Sequence, residues 1–271
     1  MTIGDNAPMR LPYYQVNAFT NRPFGGNPAG VCLLDEWPSD GAMQAIAAEN
    51  DLAETAFVLK HPEEGVHPLR WFTPAVEIDL CGHATLATAY VFFNELHYAD
   101  ETIAFSTKSG LLKATKRDRR VELDFPARPA TECAAPDALR RGLRAEPRAV
   151  FKSRDYLAVF DSEEAVASLA PDLAELAKLD CLGVIATAPG SDCDFVSRFF
   201  APRAGIAEDP VTGSSHCTLV PYWSKRLGKK EMFARQISKR GGELFVRDDG
   251  DRVAMAGDCA VYLRGEIEAP E

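Results

Sequence analysis

The chain has 271 residues, 46% of them hydrophobic and 26% charged, with a net charge of −10 at pH 7. That balance describes a soluble globular protein of one large or two ordinary domains. The acidic excess excludes a nucleic-acid partner, which needs clustered Lys and Arg, and no apolar run is long enough to span a membrane. Seven cysteines, an odd number without a CxxC pair, are expected as free thiols in the cytoplasm. The opening MTIGDNAPMRLPYYQV carries no apolar signal-peptide core. Five histidines show no HExxH-like spacing, so no metal site is predicted.

In chain order, YYQVNAF and AGVCLLD read as strands. GAMQAIAAENDLA reads as an amphipathic helix, and TAFVLK and LRWFTP as further strands. Residues 84–96 are apolar nearly all round and predict a buried helix. TIAFSTKSGLLKATKRDRRVELDF reads as three short strands joined by tight turns. The stretch 124–138, with Pro126, Pro129 and Pro136, reads as a linker. Beyond it come YLAVF and LGVIATA as strands, with a helix predicted at 163–178 between them. A second central helix ends at Gly228. The strands ARQISKR, GELFVRD, VAMAG and AVYLRGEIE close the chain. The expected fold is α+β, with two similar domains (1–126 and 127–271), each of antiparallel strands wrapped around a central helix and facing the other across a cleft. The last strand is allowed to pack on the N-terminal domain.

A repeat supports this division. RWFTPAVEI at 70–78 returns as RFFAPRAGI at 198–206, with Arg70, Phe72, Pro74 and Ile78 matched to Arg198, Phe200, Pro202 and Ile206, and Trp71 to Phe199, all at an offset of 128. Each copy runs into a loop of small polar residues before a predicted helix. In the first, Gly82 and His83 lead to a helix near Ala84. In the second, Thr212, Gly213 and Ser214 lead to one near Ser215. The unpaired N–H groups of such helix starts suit a small carboxylate, though each loop alone also reads as a plain cap. Cys81 reads either as a thiolate favoured at a helix start or as a small buried hydrophobe. His83 reads as a proton carrier or a local cap. At the same offset Asp209 stands where Cys81 stands in the first copy. Glu54, framed by Ala53, Ala56 and Phe57, is expected to be partly desolvated, with a pKa raised towards neutrality as a general acid/base needs. Solvent exposure at a turn is the alternative. Cys217 reads as core.

The motifs NAFTNRPFGGNPAGVCLL, ENDLAETAFVL, RWFTPAVEIDLCGHAT, GIAEDPVTGSSHCTLVPYW and QISKRGGEL occur in the order found in the phenazine-biosynthesis isomerase (PhzF-type) family, which the chain resembles over nearly its whole length. The resemblance implies a diaminopimelate-epimerase-like fold, a homodimer, and isomerisation of a small carboxylic acid without a cofactor. Carried over by motif, it implies catalytic roles for Glu54, His83 and Asp209, with Gly82, Thr212, Gly213 and Ser214 around the substrate. Gly30 stands where the family often has Ala. An epimerase using Cys81, or an anion-binding protein without turnover, are the competing readings.

Overall fold

A computed structural model describes residues 9–62 and 64–269. The elements are β1 (Met9–Ala18), β2 (Asn27–Leu34), α1 (Asp40–Asn50), β3 (Glu54–Leu59), β4 (Val66–Phe72), β5 (Glu77–Ile78), α2 (Gly82–Tyr90), β6 (Thr102–Thr107), β7 (Gly110–Arg117) and β8 (Arg120–Pro126). There follow β9 (Thr131–Glu132), α3 (Asp137–Leu143), β10 (Ala149–Lys152), β11 (Tyr156–Val159), α4 (Glu163–Ala167), α5 (Leu173–Leu176), β12 (Val184–Pro189), β13 (Phe195–Ala201) and β14 (Ile206–Asp209). The chain closes with α6 (Gly213–Leu227), β15 (Glu231–Gln236), β16 (Gly242–Asp248), β17 (Arg252–Gly257) and β18 (Cys259–Ala269). Among the described residues no helix is long and apolar enough to cross a membrane.

The chain divides into two compact units. One takes the described residues up to Phe24, then Pro28–Leu123 and those from Asp258 onward; the other takes Gly25–Asn27 and Asp124–Gly257. In the first, β18 runs antiparallel to β1 along its whole length, from Met9 opposite Ala269 to Ala18 opposite Cys259. In the same unit β2 and β3 are parallel, β3–β4 and β4–β5 antiparallel, β4–β6 parallel, and β6–β7–β8 antiparallel. The second unit repeats that order: β11–β12 parallel, β12–β13 and β13–β14 antiparallel, β13–β15 parallel, β15–β16–β17 antiparallel. The pairing is therefore mixed, because the two crossovers in each unit bring strands back in the same direction.

Each unit is built around a helix. Residues 83–89 of α2 are all buried, and α2 lies against β1, β3, β7 and β18. Its buried hydroxyls stay satisfied by bonding back along the helix: Thr85 donates to the Cys81 carbonyl and Thr88 to the Ala84 carbonyl at 2.7 Å. Beyond Tyr90 the helix does not continue as α, as expected from 84–96, but widens into a π-turn over Val91–Glu95, closed by Leu96 N–H to Val91 O at 3.0 Å. In the second unit α6 lies against β16 and β17 and ends at Gly228, whose φ of 64° favours a residue without a Cβ. The single helix expected at 163–178 is two short ones. Pro171 cannot extend the first, and Asp172 caps the second by accepting from Ala174 N and Glu175 N.

The repeat is real, but its register changes. Arg70 grips Glu77 with Nε and Nη2 (2.8 and 2.9 Å) and lies over the Phe72 ring; Arg198 grips Glu208 in the same fork (2.7 and 2.9 Å) and lies over Phe200. Arg and Phe keep the offset of 128, whereas the paired Glu stands at 131. Three extra residues enter at the 3-10 turn Pro202–Ala204. Trp71 pairs with Ile78, and Phe199 with Asp209. Asp209 is thus the counterpart of Ile78, and Thr212 that of Cys81. The expected match of Asp209 with Cys81 is corrected, because the offset was extended through an insertion that only strand pairing reveals.

Arg70 and Lys108 hold the Glu77 carboxyl down from 4.5 to about 2. A carboxyl whose pKa falls on folding adds stability that is complete above its unfolded value and is lost as pH falls. Acid titration followed by circular dichroism should therefore show this contribution vanishing between pH 4.5 and about 2. In Glu77→Gln the acid loss over the same window should be smaller, with other lowered carboxyls (among them Glu54, Glu95, Asp172 and Glu175) still contributing theirs. An unchanged acid transition in that variant would remove the ion pair from the account.

Candidate active site

In the first unit Glu54 opens β3, Cys81 is the N-cap of α2, and His83 sits in its first turn. All three are buried, with relative exposures of 9%, 5% and 6%. Cys81 has an extended backbone (φ −139°, ψ 112°), and its Sγ meets His83 Nδ1 at 3.5 Å. The other edge of the ring, Nε2, lies 3.0 Å from Glu54 Oε2. The three ligating atoms fall within 4.8 Å of one another, a cluster that linear spacing did not disclose. The imidazole addresses a different neighbour with each nitrogen, which suits proton sharing better than lone pairs converging on one cation.

The charge states differ from the sequence reading. Burial pushes the Glu54 carboxyl up, but the charge and hydrogen bond of His83, helped by Cys81, bring it net below the ordinary value of 4.5. Burial opposes a charge on His83, yet Cys81 and Glu54 beside it raise it well above 6.5. The resting pair is a carboxylate and an imidazolium. The Glu54 pKa raised towards neutrality is corrected: desolvation acts as expected, and a buried cation outweighs it. The thiolate reading of Cys81 is corrected too. Burial and the Glu54 charge push the thiol up to about 11, so it is neutral at pH 7.

In the second unit α6 starts at Gly213, two residues before the expected Ser215, with Thr212 as N-cap. Asp209, at the end of β14, is held on both oxygens. Oδ1 accepts from Asn27 Nδ2 at 2.8 Å, and Oδ2 accepts from the Thr212 hydroxyl. Asn27 also donates to Val211 O (3.0 Å). Ser214 Oγ accepts from Arg154 Nη2 at 3.0 Å, and Arg154 is itself held by the buried Asp155 at 2.8 Å. Neither loop contains a Lys or Arg; Arg154, from the β10–β11 turn, brings a guanidinium to the second one. Asn27, Arg154 and Gln236 went unassigned in the sequence. Two of them lay inside quoted motifs, but a buried amide gives no sequence signal of what it bonds.

The structure thus brings Glu54, Gly82 and His83 together with Cys81 in the first unit, and Asp209, Thr212, Gly213 and Ser214 together in the second. The whole chain resembles proteins already described. An uncharacterized isomerase of Pseudomonas aeruginosa is 48% identical over 259 residues, covering 96% of this chain and 99% of the relative. The crystal structure of a PhzF-family protein of Enterococcus faecalis superposes with a TM-score of 0.93 at 45% identity, covering 96% of this chain and 99% of that one. A predicted epimerase of Pseudomonas aeruginosa shares the fold (TM-score 0.70, 22% identity, covering 95% and 99%). The profile of phenazine biosynthesis-like proteins (PhzC-PhzF) matches residues 16–265, and with relatives this similar over their full length the chain belongs to that family.

Proposed function

We propose that this protein is a cofactor-independent isomerase that moves a proton on a small carboxylic acid by general acid/base catalysis. The observation that carries the reading is the buried Glu54–His83 pair at 3.0 Å. A carboxylate already ionised and shielded from water can take a proton from carbon. The adjacent imidazolium stabilises the negative charge that develops, or returns a proton to it. Full-length relatives named isomerases support the reaction class.

In this reading the start of α6 receives the carboxylate of the acid: Gly213 and Ser214 offer N–H groups, Ser214 a hydroxyl, and Arg154 a cation. Asp209, accepting from Asn27 and Thr212, is given an assisting part in the proton transfer. The test is NMR of small carboxylic acids incubated with the protein in D₂O. Deuterium entering at carbon supports turnover. Binding without exchange across the panel would instead support an anion-binding protein. Arg154→Ala should raise KM for a responsive acid by about three- to tenfold, about 1 kcal/mol for a partly exposed charge, with kcat retained. An unchanged KM would take Arg154 out of binding.

A second reading, an epimerase using Cys81, is favoured by the thiol's 3.5 Å contact with His83. It is opposed by the thiol's raised pKa. Cys81→Ser separates the two: exchange should survive in the isomerase and be lost in a thiol-dependent epimerase.

A further inference from the structure

Gln236, the last residue of β15, is fully buried, and it spends its whole amide on one loop. Its Oε1 accepts from Thr212 N–H at 2.9 Å, while its Nε2 donates to Asp209 O at 2.8 Å and to Thr212 Oγ1 at 3.2 Å. The amide cannot be flipped. A flip would set N–H against N–H at Thr212 and oxygen against oxygen at Asp209. Because Nε2 donates to the Thr212 hydroxyl oxygen, the single proton of that hydroxyl is left to point elsewhere, and it points at Asp209 Oδ2. This accounts for a further fact: Thr212 is the N-cap of α6, yet its hydroxyl makes no cap bond to the helix. Two charged side chains close to this loop in sequence have partners of their own. Glu208 is gripped by Arg198, and Arg240 donates to the carbonyls of Gly25 and Gly26.

We propose that Gln236 is a positioning residue that sets the direction of the chain Gln236 Nε2–H to Thr212 Oγ1–H to Asp209 Oδ2, so that Thr212 always presents its proton to Asp209. The inference rests on the reading above only in assigning Asp209 a part in turnover; the direction of the chain is independent of it. The strand end and the helix N-cap are two ends of one loop, and a single rigid amide spanning both fixes the loop and the carboxylate together.

The test is a carboxyl-carbon NMR titration of Asp209 in the full-length protein. In Gln236→Glu the introduced carboxylate still accepts from Thr212 N–H, but it can only accept from the hydroxyl, which then turns away from Asp209. Losing a donor to its ionised form, Asp209 should titrate at least one unit higher than in the unaltered protein. Thr212→Val, which deletes the hydroxyl without changing the shape of the loop, should give a shift of the same sign. The double variant should shift by less than the sum of the two single ones, since both remove the same bond while the new carboxylate adds its own charge in either background. If Gln236→Glu fails to fold, Thr212→Val alone decides. An Asp209 midpoint that does not move in the folded variants overturns the proposal, as does full additivity in the double variant. A shifted midpoint with unchanged deuterium exchange leaves the positioning role in place and refutes the part given to Asp209 in turnover.

Discussion

Glu54→Gln should lower deuterium exchange on a responsive acid by about 10²–10⁴-fold, the usual contribution of a positioned acid or base, with substrate affinity little changed. The amide keeps the shape of the carboxylate in a site where both Glu54 and His83 are buried, but it cannot carry the proton. The pH profile supplies a sharper check. With its pKa held down by His83, Glu54 stays ionised through neutrality, so the acid limb of kcat/KM should lie below 4.5. The imidazolium should persist well above 6.5. An acid limb near neutrality would mean that desolvation, and not His83, governs the carboxyl. A Glu54→Gln protein with near-normal exchange would end the mechanism.

Trp223→Ala should cost about 3–5 kcal/mol of unfolding free energy, in the range for truncating a fully buried aromatic side chain. Trp223 anchors α6. Its ring is fully buried and stacks on Phe195 (5.6 Å between centroids, 4° between planes), and its Nε1 donates to Thr187 Oγ1 at 3.0 Å. Trp223→Phe keeps the stack and loses the hydrogen bond, so it should cost much less, about 1 kcal/mol from the bond plus a smaller packing loss. Urea denaturation measures both. A loss below 1 kcal/mol for the alanine variant would show that α6 is held by other contacts, and would weaken the view that its start is a rigid platform.

The sequence by itself determined most of the elements of both units, though not their mixed strand pairing. Apolar periodicity located α1, an unbroken apolar run α2, and the repeat together with Gly228 α6. Alternation and turn residues located the strands, and the Arg-x-Phe repeat announced the duplication. These signals are legible because they are local: helix and strand patterns are written within about ten residues, and a repeat survives wherever the same packing constrains the same positions. Glu54, His83 and the α6 loop were also legible, through an apolar frame and through residues with little side-chain bulk at helix starts.

Only the tertiary structure decided what those residues face. The three-residue insertion at Pro202–Ala204 re-pairs Asp209 with the strand position of Ile78, and hydrogen-bond register alone shows it. The charge of Glu54 depended on the His83 side chain brought against it from another element. Burial predicts one direction and a neighbouring cation imposes the other, and a linear sequence gives the distance to neither. Arg154 reaches Ser214 across a separation of 60 residues, and Gln236 reaches Thr212 across 24. Electrostatic and hydrogen-bond energies depend on distances of a few ångströms between groups far apart in the chain, so the chemistry of the site is settled by packing even where its residues can be named in advance.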